Sequence, residues 1–191
     1  MDMKGVDVLG RDAFEYLLGM QGAPFLMGER PALLLSFRKA SFDDLKSLLL
    51  SYAPCFHCKG IELFLLWESE ALLCILFYRK VKLARRLKQA EVRLLLEDRG
   101  YDSSLPLKKL LEELSRRMRE QGEFPHELGV FLGFPPADVR GFIRHHGRGF
   151  LSCGYWKVYH DPENAQKVFA SFAACTRTFC HALAEGKDLK I

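Results

Sequence analysis

The chain lacks the glycine-rich and nucleophile signatures of the common enzyme classes. No GxGxxG, P-loop or GxSxG occurs in its 191 residues, so nucleotide-binding and serine-hydrolase chemistry have no support. No apolar run approaches the roughly 18–20 residues of a membrane span. The longest candidates, 63–67 and 71–78, are separated by Glu68-Ser69-Glu70. Eight prolines and 15 glycines, beside 49% apolar residues, are too few for a collagen-like, mucin-like or disordered chain. The N-terminal stretch MDMKGVDVLGRDAF holds three acids and no apolar core of signal-peptide length. Six cysteines are even in number, but a disulfide framework belongs to small secreted chains. The expectation is a soluble cytoplasmic protein with reduced thiols and no membrane contact.

What is present starts with an uneven charge. The net charge is +4, yet residues 79–93 hold seven basic residues and one acid, and residues 139–160 hold Arg140, Arg144, Arg148 and Lys157 with no acid. The rest of the chain is net acidic. Two basic segments on an acidic body can attract phosphate, and they can equally be solvated helix faces.

Periodicity predicts the elements. Ser41-Phe-Asp-Asp44 resembles a capping arrangement, with Leu45, Leu48, Leu49 and Tyr52 on one helical face and Ala53-Pro54 as its end. Residues 61–67 and 71–78 read as a buried hairpin around a tight acidic turn. Leu83, Leu87, Ala90 and Leu94 predict one helix closed by Gly100, and Leu107, Leu110, Leu111, Leu114 and Met118 predict another. On the second helix, Lys108–Glu112, Lys109–Glu113, Glu112–Arg116 and Glu113–Arg117 are spaced for surface ion pairs. Pro125 and Pro135-Pro136 open two short helices, and 155–159 reads as a strand. Asp161-Pro162-Glu163 starts a long helix with a seam through Ala165, Phe169, Phe172, Thr176, Phe179 and Leu183. The expected fold is α+β, a single domain over 1–191, mostly helical around a small buried β-sheet made of a hairpin at about 61–78 plus a strand at about 154–159.

Four constellations could carry chemistry. Cys55-Phe-His-Cys58 could supply half of a zinc or iron site or a redox pair, but tetrahedral zinc needs two further ligands and no second CxxC or HxxxH exists. Haem attachment through CxxCH is excluded because Lys59 follows. His126-Glu127 offers acid–base groups, although adjacent helical residues diverge by about 100° and do not form a dyad. Residue 130 is Val, so HExxH is absent. Residues 128–143 overlay a helix-turn-helix, in which Arg140 and Arg144 would face nucleic acid. Gly141 and Phe142 stand where a recognition helix would offer Gln, Asn or Ser. Gly154-Tyr-Trp-Lys-Val-Tyr159 alternates aromatics as a half-buried strand would; should Trp156 and Lys157 instead line a pocket with His126, they could hold a flat or anionic ligand.

The blocks FPHELGVFLGFPPADVRGFI and GYWKVYHDPENAQKVF, with YAPCFHCKGIELF before them, resemble the bacterial family known as domain of unknown function 3793. The resemblance spans about residues 33–175. Its motif positions here are Ala53, Pro54, Lys59, His126, Glu127, Gly133, Pro135, Asp138, Trp156, Lys157 and Tyr159. Tyr52 stands where the family often has a Cys before Ala-Pro, which weakens any nucleophile at that place. The resemblance implies a protein of anaerobic bacteria with a link to iron uptake and flavodoxin, and it brings no activity with it.

Three function classes follow. The first is an accessory protein that binds a small ligand, a metal (zinc, iron or haem) or a redox protein partner. Its ligand residues would be Lys59, Trp156, Lys157 and Tyr159, and its metal residues Cys55 and Cys58. The second is a thiol- or His-dependent, hydrolase-like enzyme with His126, Glu127 and Cys153 as catalytic candidates. The third is a nucleic-acid-binding regulator using Arg140 and Arg144. Oligomeric state is not legible.

Overall fold

The computed structural model describes residues 11–122 and 124–185. The first acids of the N-terminal stretch, Asp2 and Asp7, lie outside the described residues. The fold is α+β, as expected, with a three-stranded antiparallel sheet between two groups of helices. Its strands are β1 (Ala32–Arg38), β2 (Ile61–Glu68) and β3 (Leu72–Arg79), in the order β1-β3-β2.

The alternation of β3 sorts the core. Leu73, Ile75 and Phe77 face one layer, while Leu76 and Tyr78 face the other. Their partners agree: Leu33 opposes Phe77, Leu35 opposes Ile75 and Phe37 opposes Leu73, whereas Ala32 opposes Tyr78. The first layer comprises α1 (Arg11–Leu26), α2 (Leu45–Cys58) and α8 (Pro162–Ala184). The second comprises α3 (Lys80–Leu87), α4 (Ala90–Asp98), α5 (Leu107–Gln121), α6 (Leu128–Phe131) and α7 (Pro136–Arg144). Each buried Leu or Phe contributes about 1.5–3 kcal/mol of burial, so a central strand covered on both faces ties the two layers into one core.

The hairpin stands where the sequence placed it, with a bulge at Leu66 that turns Leu66 and Trp67 toward the second layer. Other expectations need correction. The third strand of the sheet is Ala32–Arg38 and not the segment 154–159, which contributes just β5 (Lys157–Val158), paired with β4 (Ser152–Cys153) in a separate two-stranded ladder. Helix α2 does not end at Ala53-Pro54. Pro54 removes a bond to the carbonyl of Leu50, but Leu50 and Pro54 are exposed, while Tyr52 and Phe56, stacked at 5.9 Å, anchor the turn on either side. Its cap is Asp44, which accepts the Ser47 N–H at 2.9 Å, and not Ser41. The helix expected between Arg79 and Gly100 is broken at Lys88-Gln89. Its second half buries Val92, Leu95 and Leu96 and leaves Leu94 exposed. On α5, of the four expected ion pairs, Glu113–Arg117 forms at 2.7 Å; Glu113 also pairs with Arg116, and Lys109 with Glu112.

A recurring device holds the layers together: cations donate to main-chain carbonyls. Arg79 reaches Phe25, Leu26 and Lys59, Lys82 reaches Gly28 and Glu29, and Arg86 reaches Val130 and Phe134. The bonds to Phe25, Leu26 and Val130, in the last turns of α1 and α6, answer the partial negative charge of a helix C-terminus.

Candidate ligand-binding site

The site is assembled by the short helices α6 and α7 and the segment 156–160. Pro125 opens the turn before α6, and its carbonyl accepts the Leu128 N–H at 2.9 Å. Gly129 lets α7 approach: a Cβ there would lie 2.8 Å from Val139 and 3.1 Å from Phe134. Pro136 occupies the first helical turn of α7, which places Asp138 near the positive end of that helix.

Asp138 is the organiser. Its carboxylate is buried and accepts three N–H bonds, from Trp156 Nε1 at 2.7 Å, Tyr159 N at 2.7 Å and His160 N at 2.8 Å. These bonds pin the segment after β4 onto α7. The Tyr159 ring then lies on Gly141, where a Cβ would meet it at 2.4 Å, so that position has to be glycine. Trp156 stacks on Phe134 at 5.3 Å and meets Phe169 edge-on at 4.6 Å. Lys157 donates to the Gly147 carbonyl at 2.8 Å and sits over the rings of Phe142 and Phe150.

Between these groups lies a cleft of about 240 Å³. His126, Trp156 and Lys157 all line it, with Phe124, Phe134 and Phe142 among the apolar walls. The three side chains whose joint presence the sequence made conditional thus share one cavity. The His126 ring is exposed and meets Phe142 edge-on at 5.0 Å. No cysteine is among the lining residues.

The remaining candidates lie elsewhere. Glu127 faces away from the cleft, fully buried, with Tyr101 Oη at 3.2 Å, Arg117 Nη1 at 3.5 Å and Arg99 Nε at 3.5 Å. Burial, reinforced by that carboxylate, pushes the Tyr101 hydroxyl far above its ordinary pKa. His126 and Glu127 therefore serve different purposes, as their adjacency predicts. Tyr159 contributes its backbone N–H to Asp138, and its hydroxyl is buried without a hydrogen-bond partner among the described residues. Cys153 is exposed on β4, opposite Lys157 in the ladder.

Cys55 and Cys58 sit on the last turn of α2, half-buried and exposed respectively. That end of a helix carries the negative pole of the macrodipole. Lys59 follows them at the cap, and burial lowers its ammonium pKa; it does not line the cleft. Among the described residues, no three His, Cys, Asp or Glu side chains are placed to hold a metal ion. Arg140 is held against α4, 3.3 Å from the Glu91 carbonyl and 3.8 Å from Asp98, and Arg144 is exposed.

Asp138, a motif position with no expected site role, and Phe142 both line the cleft. The Pro-Pro-x-Asp start of α7 was the available signal for Asp138, because an acid there caps or anchors something nearby. Phe142 carries no local signal beyond its aromatic ring.

Among the described residues, no helix is long and apolar enough to cross a membrane. No curated protein and no solved structure matches the chain. The model of the family described as "Protein of unknown function (DUF3793)" matches residues 18–191, a wider stretch than the motif blocks alone suggested, and the chain belongs to that family.

Proposed function

We propose that the protein is a ligand-binding protein whose site is the cleft between α6, α7 and Trp156, and that it takes a small, flat, anionic molecule. The observation that carries this reading is the convergence of His126, Trp156 and Lys157 on one apolar-walled cavity. Its size sets the scale. An apolar cavity of about 150 Å³ holds a benzene ring, so about 240 Å³ suits one or two fused rings with a single polar substituent. The indole face and the Phe142 ring supply stacking surfaces. Lys157 supplies the cation, already oriented by Gly147, and the exposed Arg144, at the end of α7, and Arg148, in the loop after it, add positive charge nearby in the chain. Asp138 does not oppose an anion strongly, because three N–H groups surround its carboxylate.

The test uses Trp156 as its own reporter. The chain has two tryptophans, so a Trp67→Phe protein reports Trp156 alone. Naphthoate is expected to quench it saturably, and neutral naphthalenemethanol to bind at least about tenfold more weakly, the value of one hydrogen bond to a charged group. Lys157→Met should erase that difference. Equal affinity for both probes, or no quenching by either, refutes the reading.

A further inference from the structure

A second cavity of about 330 Å³ lies behind the same Trp156–Asp138 pair, between the turn at residues 29–31 that leads into β1 and the start of α8. Its distinctive group is Arg30. The guanidinium donates from Nε and Nη2 to a single acceptor, the Leu132 carbonyl, at 3.2 and 3.1 Å. It lies against the rings of Phe134 and Phe172 at 5.2 and 5.9 Å. Among the described residues no carboxylate pairs with it, in contrast to Arg116, which holds Glu113 and Glu120. Burial pulls its pKa down to about 10.

The acids of this cavity are arranged differently. Asp138 is buried but already encircled by three N–H groups. Glu29 and Asp161 are exposed and stand at the rim. The cavity therefore has positive charge within, negative charge at its mouth, and apolar wall from Val168 and Phe172. A simple anion would meet repulsion at the entrance, and a simple cation would meet Arg30.

We infer that this cavity binds a small zwitterion of the amino-acid class, its carboxylate on Arg30, its ammonium group at the Glu29–Asp161 rim and its apolar side chain against Phe172. The carboxylate would take the outer edge of the guanidinium, whose other edge is already fixed on Leu132, so the donor is preorganised. Occupation of the neighbouring cleft is not required.

Calorimetry on the full chain with L-leucine, isocaproate (its carboxylate without the ammonium) and isoamylamine (its ammonium without the carboxylate) tests this. L-leucine is expected to bind, isocaproate more weakly, and isoamylamine not at all. Arg30→Met keeps an apolar stem between the two rings and should weaken leucine binding by about tenfold or more. Glu29→Gln, at an exposed position, should weaken it by about threefold, as a screened ion pair does, and leave isocaproate unchanged. No heat with leucine, equal binding of isocaproate, or undiminished affinity in Arg30→Met overturns the inference. Naphthoate titrated beside these probes separates the two sites: leucine binding without naphthoate binding refutes the cleft reading alone, and the reverse refutes this one alone.

Discussion

Replacing Asp138 by Asn probes the organiser of the site with almost no change of shape. In the native protein Oδ1 accepts from the Tyr159 and His160 amides and Oδ2 accepts from the Trp156 indole. An asparagine oxygen can keep the two amides, which leaves its NH2 group facing the indole N–H, donor against donor. One hydrogen bond to a charged group, worth about 1.5–3 kcal/mol, is lost. Trp156 is half-buried, so water recovers part of the deficit, and a net loss of about 2 kcal/mol is expected. With a urea slope of about 2 kcal/mol/M, the unfolding midpoint falls by roughly 1 M. Trp156→Phe removes the same donor from the other side. Asp138→Asn should therefore cost much less in that background, with a coupling of about 1–2 kcal/mol across the double-mutant cycle. A midpoint shift below about 0.25 M at unchanged slope, corresponding to less than about 0.5 kcal/mol, or a coupling within about 0.3 kcal/mol of zero, refutes the assignment of Asp138 as organiser.

Two further perturbations test the scaffold. Gly141→Ala introduces a Cβ that would meet the Tyr159 ring at 2.4 Å; a loss of about 1–3 kcal/mol by overpacking is expected in urea unfolding, whereas a stability gain, the usual result of Gly to Ala in a helix, would show that Tyr159 does not rest there. The Glu113 carboxylate is held down to about 2, chiefly by the hydrogen bond from Arg116 and then by that from Arg117. A depressed folded-state pKa contributes stability that is complete above the ordinary value of 4.5 and is lost as pH falls through about 2. Glu113→Gln should thus flatten the stability–pH curve between those values, measured by denaturant midpoints, and cost less than about 1 kcal/mol at neutral pH because solvent screens the pair.

The parts of the fold legible in the sequence are those written in local pattern. Residues 61–68 and 72–79 are short apolar runs with polar punctuation, and Asp161-Pro162-Glu163 is a helix start that Asp161 caps through the Asn164 N–H at 3.1 Å. Ala32–Arg38 is equally apolar, but its three consecutive leucines have no period, and its identity comes from pairing with β3 some forty residues later. Residues 155–159 alternate like a strand, yet Trp156 and the Tyr159 amide answer to Asp138 and not to a ladder. Helix α2 runs through Pro54 because Tyr52 and Phe56 gain burial on both sides of the break. The cleft follows the same division. His126, Trp156 and Lys157 stand out by residue type, while Asp138 and Phe142 acquire their roles from neighbours distant in the chain, which no local window contains.

The basic segments show how far a charge count departs from a surface. Of the seven cations in residues 79–93, Arg79, Lys82 and Arg86 donate to main-chain carbonyls, Lys80 pairs with Glu62 and Arg93 with Glu97. Burial lowers the pKa of Arg79 and Arg86, and carbonyl oxygens stand in for carboxylates around them. A phosphate backbone needs a row of uncommitted cations at regular spacing, since each neutralised phosphate adds its own increment of affinity. This stretch leaves Arg85 and Lys88 exposed with no ion pair among the described residues, too few for such a row. In residues 139–160, Arg140 is held against α4, whereas Arg144 is exposed at the end of α7 and Arg148 in the following loop, whose Gly147 carbonyl orients Lys157. The exposed cations of this segment thus neighbour, along the chain, Phe142, which lines the cleft, and Gly147, which holds Lys157. Under the proposed reading, that placement selects one small anion at one cavity in preference to a polyanion laid along a helix, and raising the salt concentration should weaken naphthoate binding only as far as a single screened charge pair allows.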